Sequence, residues 1–296
     1  MEKKKRLSIY ERILPSIGLL SIVTYWSNYK SQSLKKRLKQ IEGELGVKLF
    51  NRGRRGVHFT PQGEYLAACA EETLKYYLKV KDNLSSMSNE YTGTLRLGVS
   101  NFFTKYKLPF ILKLFQEKYP RVEIKVMTGW SSQVYKAIYN QDVHIGFVRG
   151  TYNWKEQKHL LFEEKMCIAS IEAIDVNNLP NRPRIEYKTD YVLKSLIDNW
   201  WTKNYTQEPL ISIAVDQVDT CKEMVINGLG YGILPSLILD GIKGLHKIDL
   251  TDSKGEPILR RTWMYYHQQS LELNLVRAFV NFIEDLNLNL NLNENN

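Results

Sequence analysis

The chain has 296 residues, 43% hydrophobic and 25% charged, which is enough for a sizeable core and too long for one small domain. Its net charge of +9 is unevenly placed: residues 1–62 hold 14 Lys/Arg against 4 Asp/Glu, and the rest hold 27 against 28. A uniformly basic protein is thereby excluded, and the first fifth alone points to nucleic acid or an anionic surface. Three distant cysteines, Cys69, Cys167 and Cys221, form no CxxC pair, so neither a disulfide framework nor a zinc site is suggested, and free thiols in a reducing cytoplasm are expected. The basic run Lys3–Arg6 and the apolar stretch 13–26 imitate an export signal. Glu11, Arg12, Pro15 and Gly18 break the pattern, no A-x-A site follows, and the stretch falls short of the ~20 residues that span a bilayer. A cytoplasmic protein without membrane association is expected.

In chain order, residues 7–45 read as helical, with Leu34, Leu38, Ile41 and Leu45 on one face and Lys35, Lys36, Arg37 and Lys39 on the other; Gly46 stops the helix. Val47–Phe50 and Val57–Thr60 read as strands flanking a turn at 51–56. Thr60-Pro61 starts a helix over about 61–88, in which Leu66, Ala70, Thr73, Tyr77, Val80, Leu84 and Met87 keep the 3.5-residue period of a two-helix seam. Packing within its own domain is one use of that stripe, dimerisation the other.

Strands and helices then alternate: strands at 95–99, 122–127 and 143–148, helices at 103–119 and 131–139. A second round follows, with strands at 184–187, 211–215 and 232–234 and helices at 192–203 and 220–227. Such order implies parallel sheets covered by helices, in two lobes with a cleft between them. A last helix at 270–286 is placed to cover the first lobe, and the Leu/Asn tail 286–296 reads as frayed.

The basic helix offers Ser31, Gln32, Ser33, Lys35, Lys36 and Lys39 to the major groove, and Arg52, Arg54 and Arg55 at the hairpin reach backbone or minor groove beside it. In the α/β part, Ser100-Asn101, Thr128, Trp130-Ser131 and Arg149 follow three strands, where helix N-termini favour an anion and open sheets bind ligands; Thr104 lies in the helix after the first. The histidines His58, His144, His159, His246 and His267 have no metal spacing, and no G-x-S-x-G, P-loop or G-x-G-x-x-G string occurs. No catalytic residue, metal or cofactor is therefore assigned.

The string LKQIEGELGVKLFNRGRRGVHFTPQGEYL (residues 38–66) closely resembles the recognition-helix end, wing and linker start of LysR-type transcription regulators. Thr94–Gly98, Phe115-x-x-x-Tyr119-Pro120-x-Val122, Asp142-x-x-Ile145-Gly146 and Gly228–Pro235 resemble the family's sensing domain. Residues 1–29 depart from the family's first helix. Counting back from Glu42 puts Lys30-Ser31 on the usual Ser-Gln pair, and a one-residue gap puts Ser31-Gln32 there.

The resemblance implies an α+β winged helix-turn-helix domain over 1–60, a dimerisation helix over 61–90, and an α/β two-lobed (Rossmann-like) effector-binding domain over 91–296. Lobe I would take about 91–162 and 266–296, lobe II about 163–265. It adds the loop Asp216-Gln217-Val218 to the effector pocket. It further implies double-stranded promoter DNA, a small-molecule effector (anionic on the helix-terminus argument) and RNA polymerase as partners, and a homodimer assembled into a homotetramer. The rival readings are a two-lobed solute-binding or sensing protein with a degenerate DNA module, and an enzyme using the cleft.

Overall fold

A computed structural model describes residues 32–53, 56–88 and 90–286. The rest of the predicted first helix, 7–31, the tip residues 54–55 and the tail 287–296 lie outside the described residues. The chain divides between Met87 and Ser88 into two compact units.

In the first unit, α1 (Gln32–Leu45) buries Leu38 and ends at Gly46, whose φ of +68° suits a residue without a side chain. Glu42 accepts a hydrogen bond from Leu49 N at 2.8 Å, tying the helix to the hairpin β1 (Phe50–Gly53) and β2 (Gly56–Phe59). The strands pair Phe50 with Phe59 and Gly53 with Gly56. The hairpin is thus tighter than predicted: Asn51-Arg52-Gly53 belongs to the ladder, where the sequence suggests a six-residue turn. Packing of the Phe50 and Phe59 rings, 4.8 Å apart, anchors that register.

Helix α2 (Pro61–Ser86) starts as its sequence requires, with Thr60 Oγ1 accepting from Gly63 N at 3.0 Å and donating to Lys48 O at 2.6 Å. Of the seam residues, Ala70 is buried, while Tyr77, Val80, Leu84 and Met87 stay exposed in the single chain.

The second unit is built on β3 (Gly93–Ser100), parallel to both β4 (Val122–Gly129) and β5 (Ile145–Arg149). The helix predicted over 103–119 is two helices, α3 (Asn101–Tyr106) and α4 (Leu108–Lys118), broken at Lys107. Pro109 explains the break: it has no N–H to give and its ring clashes with the carbonyl four residues back. Helix α5 (Ser131–Tyr139) lies between β4 and β5, as predicted.

The alternating pattern does not reveal two long strands, β6 (Gln157–Ser170) and β11 (Leu259–Tyr266). They pair antiparallel with each other, and β11 also pairs antiparallel with β5, so the sheet is mixed rather than parallel. Their outer halves complete lobe I. The far end of β6 joins β9 (Gly232–Pro235) and β10 (His246–Asp249) in lobe II. Both strands therefore carry the chain from one lobe to the other.

Lobe II adds the parallel pair β7 (Arg184–Tyr187) and β8 (Ile211–Val215), joined to the rest by a bridge from Arg184 to Tyr231. Helices α6 (Tyr191–Asn204) and α7 (Val218–Ile226) follow these strands. Helix α8 (Asn274–Asp285) returns to lobe I, where Phe279 packs on Phe115 at 4.8 Å and on Phe147 at 6.3 Å.

A Cβ on Gly63 would sit 2.1 Å from Leu49 O and 2.9 Å from the Phe59 ring. Gly63→Ala must therefore push α2 off the hairpin, at about 1–3 kcal/mol. The expected outcome is faster amide exchange across residues 47–70 with no change in the sensing unit.

Candidate functional site

The cleft between the lobes is assembled at strand ends. Ser100 closes β3 and occupies the N-cap position of α3 without capping it through its side chain; it is buried, and its Oγ has no hydrogen-bond partner. Trp130 and Ser131 open α5, with Trp130 N donating to Gln133 Oε1 at 2.8 Å. Ser131 Oγ accepts from Arg149 N at 3.1 Å, fixing the end of β5 against the start of α5.

Arg149 is the last residue of β5 and only 3% exposed. Its guanidinium forms an ion pair with the buried Glu164 of β6 and lies 3.5 Å from the centre of the Phe102 ring. Burial, then the nearby Arg260 charge, lower its pKa well below the ordinary arginine value.

Lobe II contributes Tyr187, Lys188, Thr189, Asp190 and Gln217 to the same small cavity of about 60 Å³, and β11 contributes Arg260. Asp190 lies 3.7 Å from Arg260, and its Oδ1 also accepts from Leu193 N at 3.1 Å, capping α6. The Tyr187 hydroxyl is buried without a partner, and burial raises its pKa to about 12.

Beside the cavity the lobes are latched. From α3, Lys105 Nζ reaches Asp219 Oδ2 at 3.0 Å and Tyr106 OH donates to Asp219 Oδ1 in the first turn of α7. Burial alone would raise the Asp219 carboxyl, but these two donors outweigh it and hold the pKa below the usual carboxylate value.

Of the effector residues predicted from sequence, Ser100, Asn101, Trp130, Ser131, Arg149 and Gln217 converge on this cavity. Thr104 and Thr128 are not part of its lining: Thr104 Oγ1 donates to Ser100 O at 3.1 Å within its own helix, and Thr128 is exposed on β4. Tyr187, Lys188, Thr189, Asp190 and Arg260 complete the lining and are not among the residues the sequence marks. The strand-end rule applied to β7 would have found the first four; Arg260 lies on a strand that the periodicity does not mark.

In the first unit Gln32, Ser33, Lys35, Lys36 and Lys39 lie on α1, with Lys39 exposed, and Arg52 lies on β1. Ser31, Arg54 and Arg55 fall outside the described residues. Cys167 and Cys221 are free, buried thiols raised to about 12, chiefly by burial, unlike a reactive cysteine. Among the described residues no His/Cys/Asp/Glu group could hold a metal, and no helix is long and apolar enough to cross a membrane.

Residues 88–287 match the family described as LysR substrate binding domain, and residues 28–64 match the bacterial regulatory helix-turn-helix protein, lysR family. The chain belongs to the LysR family. It is similar to the HTH-type transcriptional regulator YraN of Bacillus subtilis, 42% identical over 85% of this chain and 87% of that protein. YkuM of the same organism is 36% identical over 86% and 87%. The full-length structure of AphB from Vibrio cholerae shares the fold, with a TM-score of 0.65 at 16% identity over 93% of this chain and 99% of that one. This LysR-type protein is accordingly a DNA-binding transcription regulator with an N-terminal helix-turn-helix region, a long linker helix and a two-lobed effector domain.

Glu164→Gln removes the counterion of a buried guanidinium and should destabilise the effector domain by about 3–5 kcal/mol. Adding Arg149→Met to that variant should restore much of the loss. Urea unfolding of the three proteins measures both effects.

Proposed function

We propose that this regulator binds promoter DNA through α1 and the hairpin, and that a small anionic molecule between the lobes modulates that binding. The observation that carries the second clause is the cavity's composition. Arg149 and Arg260 are balanced by Glu164 behind the lining and Asp190 within it, Lys188 adds a cation in excess, and the buried Ser100 and Tyr187 hydroxyls have no protein partner. Buried polar groups ordinarily find partners, so donors left over in a cleft suit an absent ligand.

The latch supplies a way to read the occupant. Lys105 and Tyr106 sit on the helix that follows Ser100, and Asp219 lies two residues after Gln217, so an anion drawn between Ser100 and Gln217 acts on the groups that join the lobes. The DNA clause rests on the family's helix-turn-helix region and the basic excess of residues 1–62. A structure of the fold relative CbnR in complex with its target DNA lends support. The exposed stripe of α2 suits a dimer, and a homotetramer with access to RNA polymerase extends the same reading.

The test is a gel-shift titration with promoter DNA across salt concentrations. Affinity should fall steeply with salt, and Arg52→Ala or Arg54→Ala should each lower it and reduce the log–log slope by about one. Absence of binding to any promoter fragment at low salt would contradict the proposal.

A further inference from the structure

We infer a second small-molecule site inside lobe II, separate from the cleft, which takes an organic acid with an apolar body. It is the larger cavity, about 340 Å³, between α6 and the strand pair β7–β8. That volume lies in the range of cavities that enclose small ligands, about 300–1,000 Å³.

The decisive group is Arg184. It lines this cavity, is 5% exposed, and its Nε has no hydrogen-bond partner. Among the described residues no ion pair reaches its guanidinium, whose carbon lies 5.6 Å from the centroid of the Trp201 ring. A buried guanidinium without a counterion is strongly unfavourable, and a carboxylate is the group its fork geometry matches.

The cavity's other charges do not serve that purpose. Lys194 lies 3.4 Å from Glu186 and 3.6 Å from Asp198, so both of those carboxylates are engaged by a lysine, and neither they nor Asp216, the remaining carboxylate of the lining, forms an ion pair with Arg184. Between the charges, Ile185, Ile197, Ala214, Val215 and Ile233 supply an apolar lining. A bare inorganic anion would leave that lining unfilled; an acid with a short hydrocarbon body uses both parts.

Position gives the site a consequence. Tyr187, Lys188 and Thr189 are shared between this cavity and the inter-lobe one, so an occupant of lobe II presses on one wall of the cleft. The site does not depend on the DNA-binding reading, and its test involves no DNA.

The experiment uses the full chain with sodium hexanoate as probe and sodium sulfate as control, followed by thermal unfolding and tryptophan fluorescence. Hexanoate should raise the melting temperature in a dose-dependent way and change the tryptophan emission, a change that Trp201→Phe reduces, and sulfate should do neither. Arg184→Met should weaken hexanoate binding at least about tenfold, the scale of losing one charge-assisted pair. The same variant should melt higher than wild type without ligand, because it removes an unpaired buried charge. Ala214→Trp, which blocks the cavity and keeps Arg184, should abolish the response; Ser100→Ala, in the cleft, should leave it intact.

A wild type that ignores hexanoate would overturn the inference. So would a response lost in Ser100→Ala and kept in Arg184→Met, which places the probe in the cleft. A sulfate effect equal to that of hexanoate would overturn the apolar-body assignment. A change of sedimenting mass in Arg184→Met would assign the cavity to a contact between copies instead.

Discussion

The sensing unit turns on a pair of opposite charges kept out of water, Arg149 at the end of β5 and Glu164 midway along β6. Burial of either alone would be prohibitive, so each dictates where the other must be. The constraint links the third strand of lobe I to the strand that leaves it. Arg260 and Asp190 extend the buried charges across the junction: Arg260 lies on the returning strand, opposite Glu164 in the ladder, and Asp190 caps the first helix after β7. Apolar packing gives the two lobes their bulk, and these four charges fix where they meet.

Several features of the cleft follow from that arrangement. The ladder shifts register between Thr262 and Trp263, one residue beyond the level of Arg261 and close to where the strands pass between lobes. Bulges of this kind bend a strand and re-aim its side chains. The lobes also touch away from the strands, through the Lys105–Tyr106–Asp219 latch and an edge-to-face contact of Tyr152 with Tyr191 at 5.9 Å. One latch is polar and partly exposed, hence easily exchanged for ligand or water. The charges at the crossing are sealed. A molecule with a fixed pivot and a labile latch is suited to respond to a small occupant.

Much of this is legible in the sequence alone. Thr60-Pro61 announced the start of α2, Ser131–Tyr139 was placed residue for residue, and Ser100, Trp130, Ser131 and Arg149 were drawn from the rule that strand ends bind ligands. The misses share a physical origin. Gln157–Ser170 carries Glu163-Glu164-Lys165 in its middle, so it lacks the clean alternation of a half-buried strand; Glu164 points inward because Arg149 waits there. Leu259–Tyr266 hides behind Arg260-Arg261 in the same way. Strands whose interior positions are charged pairs cannot be recognised from hydrophobic periodicity, because the information lies in a partner distant along the chain. The break at Lys107 was readable in Pro109, and the long apolar run around it obscured the signal. Thr104 and Thr128, which lie outside the cavity lining, show the limit of the strand-end rule: it locates a loop, and the pleat and local hydrogen bonds decide which residue of that loop faces the cavity.

The proposed function requires that the cleft and the DNA-binding region be energetically coupled. Coupling is reciprocal: whatever the cleft does to DNA affinity, DNA must do to the cleft. Hydrogen exchange of the full chain, with and without promoter DNA, tests this without knowing the effector. The account predicts altered exchange in residues 98–106, 186–192 and 216–220 on DNA binding, besides protection in the first unit. Changes confined to residues 1–87 would contradict it.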